Sequence, residues 1–251
     1  MFSTTRRITS LALAAASLAT FTGCGSANPY QGMSDQDLFR IGQQKFEEGK
    51  WGDAIRPLDR LLITFGNSEL APQARLMMAD AYFNKGDLLT ARSEYQRFLD
   101  RFASDPKAPV AALGNCKSLA ALSPDPERDQ SYTNDAIGVC RNVVVDYAGT
   151  PQGAEAADIA DQMHKKLAEK EFLNAQFYLR RKLYDSAIKY YEFVVQLYSD
   201  TEYAPEALKG IYLSNTAIGY DDLAEEARQR LLESYPDSPA AQELRTDGPG
   251  S

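Results

Sequence analysis

The chain has 251 residues and is acidic, with 35 Asp and Glu against 27 Lys and Arg and a formal net charge of −8. Because no local run of Lys or Arg offsets this balance, the chain lacks the positive surface that binds nucleic acid or anionic lipid. It has one histidine and three cysteines, and it contains neither a glycine-rich phosphate loop nor a metal-ligand cluster. The sequence therefore argues against nucleic-acid binding and offers no groups arranged as nucleophile, base or metal ligand.

The amino-terminal segment, residues 1–23, has the layout of a bacterial export signal. Arg6 and Arg7 precede an apolar stretch, residues 8–21, which is short for a membrane-spanning helix of about 20 residues. The stretch runs into Phe21-Thr22-Gly23-Cys24, a lipobox pattern in which Phe21 takes the place of the usual leucine. We expect cleavage before Cys24 and lipidation of this cysteine. An ordinary cleaved signal followed by a free cysteine is the alternative.

Cleavage would leave residues 24–251 with a formal charge of −8 − 2 = −10, because the removed part holds two Arg and no acid. Residues 24–34 would form a lipidated linker, and residues 28–251 contain no apolar run long enough to cross a bilayer. Gly25 stands where retention in the inner membrane generally requires Asp. The sequence therefore predicts attachment to the outer membrane by the lipid anchor only, with the body facing the periplasm.

A pair of landmarks recurs five times along the rest of the chain. An alanine inside an apolar helical pattern precedes an aromatic residue at one constant separation, turn residues precede these alanines, and another amphipathic helix precedes each turn. Helix, short turn and helix at a period near 34 is the tetratricopeptide unit. The sequence therefore predicts an all-α, tetratricopeptide-like superhelix of about five helix-turn-helix units. The landmark pairs are Ala54 and Phe65, Ala91 and Phe102, Ala136 and Tyr147, Ala187 and Tyr198, and Ala224 and Tyr235.

Two of the units are enlarged, because the landmark alanines stand at intervals of 37, 45, 51 and 37 positions. The eight extra residues of the third unit match 123–130, where two prolines disfavour helix. The fourteen extra residues of the fourth unit match about four helical turns in the Gly-free and Pro-free run 154–181, for which we predict one long helix. We assign repeats one and two to residues 35–107, the enlarged third repeat to 108–153, repeats four and five to 154–244, and a flexible tail to 245–251.

Few side chains could carry chemistry, and each has a plainer interpretation. We expect His164 to be a solvated helix residue, because the sequence shows no partner for it in a catalytic or metal site. We expect Trp51 to pack the turn between two helices. Cys116 and Cys140 fall in the two helices of the third unit, where they form either a disulfide in an oxidising compartment or a pair of buried free thiols.

The lipobox, the short linker and the five repeats together resemble the outer-membrane assembly factor BamD family, and the resemblance covers about residues 21–244. The most specific matches are Pro126-Glu127-Arg128-Asp129-Gln130 with Thr133 in the third unit, and residues 167–171 leading to 177–188 in the fourth. The Ala-rich stretch 108–122 departs from the family, which often has Tyr and Arg there. We therefore assign no groove residue to the third unit.

The resemblance implies a non-catalytic scaffold without a cofactor. Its carboxyl-terminal repeats would dock on a BamA-like barrel-assembly subunit, alongside other assembly lipoproteins. Its amino-terminal repeats would receive the carboxyl-terminal targeting strand of unfolded outer-membrane proteins. A Tol-associated periplasmic repeat protein of envelope constriction and cell division is the alternative, although such a protein fits the lipobox poorly. An envelope hydrolase is a third possibility, for which the sequence offers no site.

Two sets of residues are expected to carry these roles. First-helix positions of units one and two face the concave side of a tetratricopeptide superhelix, and Phe46 and Phe83 occupy matching places there, although core packing between units would also explain both rings. The terminal unit needs a polar outer face unless a partner covers it, and its mixed surface predicts a docking site. The predicted groove comprises Gln36, Phe39, Gln43, Phe46, Gln73, Leu76, Asp80 and Phe83, and the predicted docking surface comprises Ile211, Tyr212, Tyr220 and Arg228.

Overall fold

The computed structural model describes residues 29–246. The chain divides into Met1–Gly32 and Met33–Ser251, and the export signal, Cys24 and residues 247–251 lie outside the described part. Residues 29–246 contain helices and no strand. The helices are α1 (Asp35–Glu47), α2 (Trp51–Thr64), α3 (Ala71–Lys85), α4 (Leu88–Phe102), α5 (Ala108–Leu122), α6 (Ser131–Asp146), α7 (Pro151–Arg180), α8 (Tyr184–Leu197), α9 (Tyr203–Ile218), α10 (Asp221–Ser234) and α11 (Pro239–Thr246).

The first ten helices form five successive pairs, and the second helix of each pair carries one landmark alanine. All five alanines are buried, four of them completely. A methyl group at these positions lets the paired helices approach closely, while larger neighbours such as Leu58, Phe98 and Leu231 fill the core beside them. The predicted all-α, tetratricopeptide-like repeat is confirmed.

The turn inside four of the units uses one backbone position in the left-handed region, at the same place relative to the landmark alanine. Gly49, Gly86 and Gly219 have φ of 70°, 84° and 79° there, and Lys182 has φ of 59°. Glycine adopts this conformation readily, whereas for a residue with a Cβ it costs about 1–2 kcal/mol. The third unit has a longer loop in place of this turn.

That loop, residues 123–130, accounts for the enlargement of the third unit and is organised by a buried glutamine. Gln130 Nε2 donates to the carbonyl oxygens of Asp125 at 2.8 Å and Arg128 at 3.2 Å. Thr133 Oγ1 donates to Gln130 Oε1 at 2.6 Å, and Thr133 is fully buried. These residues lie among the segments that resemble the BamD family, and here they close the loop onto α6.

The enlargement of the fourth unit is the 30-residue helix α7, as the Gly-free and Pro-free run predicted. It begins at Pro151, whose missing N–H is not needed in the first helical turn. Thr150 Oγ1 accepts from the backbone N–H of Gly153 at 3.1 Å and caps this end. The predicted long helix is therefore confirmed, and it accounts for the interval of 51 positions between the landmark alanines Ala136 and Ala187.

The helix pairs stack so that each helix packs against its neighbours in sequence. First helices also contact the first helices of adjacent units, from α1 with α3 through to α7 with α9, whereas the second helices of the described units do not contact each other. The first helices therefore line the inner, concave side of the stack. The short helix α11, which the repeat pattern does not predict, covers the end of the last unit by burying Ala240, Ala241 and Leu244. Among residues 29–246, no helix is long and apolar enough to cross a membrane.

Candidate functional site

A cavity of about 260 Å³ opens on the concave side between the first three units. The first helices α1, α3 and α5 form its walls, and Tyr95 of α4 lies behind them. The lining combines aromatic and aliphatic side chains with one carboxylate and one ammonium group. We call this the concave cavity, and its lining residues are Phe46, Asp80, Phe83, Asn84, Tyr95, Val110, Leu113, Gly114 and Lys117.

A buried tyrosine, Tyr95, is hydrogen-bonded to the carboxyl group of Asp80 within the concave cavity. The Tyr95 side chain is 3% exposed, and its hydroxyl donates to Asp80 Oδ1 at 2.5 Å. Burial raises the pKa of Asp80, and burial together with the nearby carboxylate raises the pKa of Tyr95. The ring fits only because Gly114 faces it, since a Cβ on Gly114 would lie 2.4 Å from the ring.

Both predicted groove phenylalanines line the concave cavity and also pack against the protein. Phe46 is half-buried and meets Trp51 edge-on, with ring centroids 4.9 Å apart. Phe83 is half-buried and packs against the core cluster that contains Tyr95 and Phe98. Each ring therefore contributes to the cavity wall and to packing, and Trp51 packs the inter-helix turn as expected.

The other predicted groove residues separate into buried and exposed ones. Phe39 and Leu76 are core residues, 9% and 7% exposed, so their assignment to an open groove surface is corrected. They are buried because the inner face of a first helix also packs against its own second helix. The polar positions lie on the surface outside the concave cavity. These exposed residues are Gln36, Gln43 and Gln73.

The sequence interpretation missed the contribution of the third unit. Val110, Leu113 and Lys117 of α5 line the concave cavity, although the Ala-rich stretch 108–122 led us to assign nothing there. A usable signal exists in the register. Asp80 lies eleven positions before its landmark alanine, and removing the eight extra loop residues places position 136 − 8 − 11 = 117, which is Lys117, at the same point of α5.

The third unit is also held by a disulfide between Cys116 of α5 and Cys140 of α6, with Cα atoms 5.0 Å apart. Both cysteines are fully buried. Of the two alternatives that the sequence left open, the structure contains the disulfide. Because Leu113 and Lys117 flank Cys116 on α5, the bond also fixes the helix that completes the concave cavity.

The predicted docking residues of the fifth unit do not form one surface. Ile211 is 3% exposed and belongs to the core, which corrects its assignment. Tyr212 packs against the same core cluster. Tyr220 is 54% exposed in the turn after α9, and Arg228 is paired with Glu225 at 3.2 Å. Ile211 is buried because this face of α9 packs against the preceding and following helices.

A more continuous apolar surface lies in the fourth unit and was not assigned from the sequence. Four rings contact one another in order: Phe177 meets Tyr178 edge-on at 5.3 Å, Tyr178 stacks on Tyr190 at 5.2 Å, and Tyr190 meets Phe193 edge-on at 5.9 Å. Phe177 and Phe193 are 43% and 36% exposed. We call these four residues the aromatic row.

Cations flank the aromatic row. The Arg181 guanidinium lies 3.5 Å from the centroid of the Phe177 ring, and the Lys189 ammonium lies 5.9 Å from that of Phe193. Such contacts contribute about 0.5–1 kcal/mol each at exposed sites. The row is therefore an apolar surface with a positively charged rim, which is the composition of a protein-binding surface.

The surroundings of His164 differ from the prediction that it is a solvated helix residue. Its Nε2 lies 3.1 Å from Asp200 Oδ1, and its ring centroid is 5.0 Å from that of Tyr198. The hydrogen bond from His164 lowers the pKa of Asp200. The long helix α7 brings His164 against the turn before α9, a contact across 36 residues that local pattern does not reveal.

These features define a helical-repeat protein with a concave cavity and an exposed aromatic surface, and residues 29–246 hold no group of His, Cys, Asp and Glu that could bind a metal ion. Residues 31–231 match the family YfiO, described as outer membrane lipoprotein. The chain belongs to this family, and the resemblance to BamD is confirmed.

Relatives named outer membrane protein assembly factor BamD match most of the chain. That of Caulobacter vibrioides is 27% identical over 199 residues, covering 79% of this chain and 65% of the relative. That of Rickettsia prowazekii is 25% identical over 201 residues, covering 80% of each. The chain thus spans just under two thirds of the Caulobacter protein.

Solved structures show a more distant likeness. The TPR2AB domain of yeast Sti1, in a complex with pHSP90, matches 82% of this chain and 80% of that one with 12% identity and a TM-score of 0.47. A MamA protein covers 84% of this chain with 17% identity and a TM-score of 0.35.

Proposed function

We propose that the chain is a non-catalytic scaffold of the machinery that assembles β-barrels in the outer membrane. In this proposal Cys24 carries the lipid anchor, the repeats face the periplasm, and the protein binds both a BamA-like barrel-forming subunit and the targeting signals of unfolded outer-membrane proteins. Family membership over residues 31–231 supports the cellular role. The observation that carries the binding function is the concave cavity, with its half-buried aromatic walls.

The concave cavity suits the carboxyl-terminal end of an extended client strand. Phe46, Phe83 and Leu113 offer apolar contacts for a terminal aromatic side chain. Lys117, whose side chain is 39% exposed, lies at the same cavity and pairs with Glu155 at 2.5 Å. A client carboxylate would compete with Glu155 for this ammonium group, so the cavity offers an apolar contact and a charge contact to one chain end.

The aromatic row suits the docking of the barrel-forming subunit. Aromatic residues and arginine are enriched in the parts of interfaces that contribute most to binding, and the row combines four rings with Arg181. It lies on the fourth unit, within the carboxyl-terminal repeats to which the family resemblance assigns docking. Tyr220 adds exposed aromatic surface in the fifth unit.

Two variants separate the two binding functions. Phe83→Ala should weaken binding of a client carboxyl-terminal peptide at least tenfold and leave binding of the periplasmic part of the barrel subunit unchanged. Phe193→Ala should do the reverse. Both affinities would be measured by calorimetry, with thermal unfolding of each variant as the control for folding.

The alternative for Phe83 is a core role, in which truncation costs about 3–5 kcal/mol of stability. Strong destabilisation of Phe83→Ala with unchanged peptide affinity per folded molecule would remove the groove assignment. Loss of both binding functions in either variant would show that the two sites are not separate.

A Tol-associated role in envelope constriction is the second candidate, since the repeat architecture would suit it as well. Co-purification of the full chain from mildly solubilised membranes separates the candidates. We expect a large barrel protein as the stoichiometric partner. A Tol protein in its place would favour the second candidate.

A further inference from the structure

A second cavity, of about 310 Å³, opens between α4, α5 and α6. Because α4 and α6 are second helices, it faces away from the concave side. We call it the outer cavity, and no role in the proposed function depends on it. Its lining residues are Gln96, Leu99, Ala103, Ala112, Asn115, Val139, Asn142, Val143, Asp146 and Tyr147.

A buried side-chain amide lies on the floor of the outer cavity, and its oxygen accepts no hydrogen bond from a described residue. Asn115 is 5% exposed, and its Nδ2 donates to Gln96 Oε1 at 3.0 Å. Its Oδ1 is buried and accepts no hydrogen bond from any described residue. Leaving a buried acceptor without a donor is unfavourable, so this atom can accept a hydrogen bond from a donor outside the chain.

The rest of the lining is rich in acceptors and contains no cation. Asp146 is exposed and forms no ion pair with another described side chain, and Asn142 stands one turn before it on α6. Leu99, Val139 and Val143 supply apolar walls between these polar groups. A ligand group that fits has an apolar stem and a positively charged head with several N–H donors, which describes an arginine or lysine side chain.

The outer cavity continues along α4, which favours an extended chain over a small compact molecule. Gln96 also lines an adjoining depression of about 400 Å³ with Leu89, Arg92, Ser93, Arg97 and Asp100. From Leu89 to Ala103 the helix advances about 20 Å, which matches about six residues of extended polypeptide.

We propose that the outer cavity binds an extended segment of a partner protein by taking up one of its arginine or lysine side chains. The charged head lies between Asp146 and the free oxygen of Asn115, and the segment runs along α4 past Gln96. Since α5 separates this site from the concave cavity, the two sites can be occupied at once.

The first test uses defined probes on the full chain labelled for NMR. N-acetyl-arginine methylamide, or its lysine counterpart, should shift the side-chain amide signals of Asn115 and the methyl signals of Val143 in a saturable way. The citrulline and norleucine counterparts, which have similar length and no charge, should bind at least tenfold more weakly. A seven-residue peptide with a central arginine should bind more tightly and also shift signals of Ser93.

Variants test which groups are responsible. Asp146→Asn should weaken binding of the arginine probe at least tenfold, and Asp135→Asn, a change on the same helix outside the outer cavity, should not. Ala112→Leu should block binding by filling the floor, and Asp146→Asn remains informative if Ala112→Leu fails to fold because the aspartate is exposed. The proposal is overturned if no probe gives a saturable shift, if citrulline and norleucine bind as well as arginine, if Asp146→Asn has no effect, or if the peptide binds no better than the single residue.

Discussion

Among single residues, one contact recurs in two places along the stack. Tyr95 and Tyr191 are buried, and each faces a glycine at the same separation along the chain, since 114 − 95 and 210 − 191 are equal. A Cβ on either glycine would lie 2.4 Å from the tyrosine ring. The helix that starts one unit thus approaches the preceding helix through a tyrosine-glycine contact. In each case a serine one helical turn after the glycine donates to its carbonyl oxygen, at 2.7 Å.

This contact predicts opposite effects for two glycine substitutions in the third unit. Gly114→Ala should destabilise the protein by about 1–3 kcal/mol, because Tyr95 is held by Asp80 and cannot move away without strain. Gly138→Ala is the matched control on α6, where nothing lies within 4 Å of the new Cβ, and it should stabilise by about 0.5–1 kcal/mol. Chemical denaturation of both variants measures the difference. Equal effects of the two substitutions would contradict the close contact.

The carboxyl group of Asp80, which is half-buried in the concave cavity, predicts a pH dependence of stability. Its pKa is raised by burial, so between its unfolded and folded pKa values the folded state keeps a proton that the unfolded state has lost. Stability from this group is therefore lost as pH rises through that window, by about 1.4 kcal/mol for each unit of pKa elevation. Asp80→Asn should remove this loss, which urea denaturation between pH 4 and 7 would detect.

The unmodified chain, measured over the same pH range, is the reference for this experiment. A profile of Asp80→Asn that parallels that of the unmodified chain would show that Asp80 titrates as an ordinary carboxyl.

Among the helices, α11 has a distinct position, because it lies at the carboxyl-terminal end of the repeat array. The carboxyl-terminal end is covered by α11, which places Ala240, Ala241 and Leu244 on the core of the last unit beside Leu231. Terminal repeats of a helical stack require such a cover, because their outward face would otherwise remain apolar. The aromatic row, in contrast, stays uncovered one unit earlier, which is why we regard it as a binding surface.

The cover provided by α11 predicts a measurable loss of stability when its anchor is removed. Leu244 is 5% exposed, and Leu244→Ala should cost about 2–5 kcal/mol because it leaves a cavity. Arg245→Ala, at the adjacent exposed position, should change stability by less than about 0.5 kcal/mol. Hydrogen exchange should show the loss of protection for Leu244→Ala mainly in α9 and α10. Unchanged protection in these helices would mean that α11 does not stabilise the last unit.

Across the molecule as a whole, stability is distributed along the stack because each unit contacts only its neighbours. Separate core clusters follow one another through the described residues. Such a scaffold presents a long surface on which several partners can bind at separate units. The concave cavity, the outer cavity and the aromatic row are the three surfaces to which we assign partners in our proposals.

The proposed anchor predicts that one substitution changes where the molecule is found without changing its fold. Cys24→Ser should release the chain into the soluble periplasmic fraction, because the proposal attaches it to the membrane through the lipid on this cysteine. Thermal unfolding of the released protein should match that of the detergent-purified chain. Retention of Cys24→Ser in carbonate-washed membranes would contradict anchoring through this cysteine.

Residue order alone was enough to predict the repeat. Each unit contains a closely packed helix pair that forms from residues near in sequence, and this pair requires a landmark alanine followed at a constant separation by an aromatic residue. The absence of Gly and Pro likewise predicted the long helix α7, and the repeat register placed Phe46, Asp80 and Phe83, which line one cavity. These features depend on short-range periodicity, which can be read directly from the chain.

Which of the periodic residues remain accessible depends instead on packing between units. Phe39, Leu76 and Ile211 fit a surface pattern yet are buried, because a helix in a stack packs on several sides and its register against each neighbour is set by contacts across units. Contacts between residues far apart in the chain also bring His164 to Asp200, add α5 to the concave cavity, pair Cys116 with Cys140, and align the aromatic row from two helices. Burial and pairing at these positions follow from helix packing within and between units, which residue order specifies only through the completed fold.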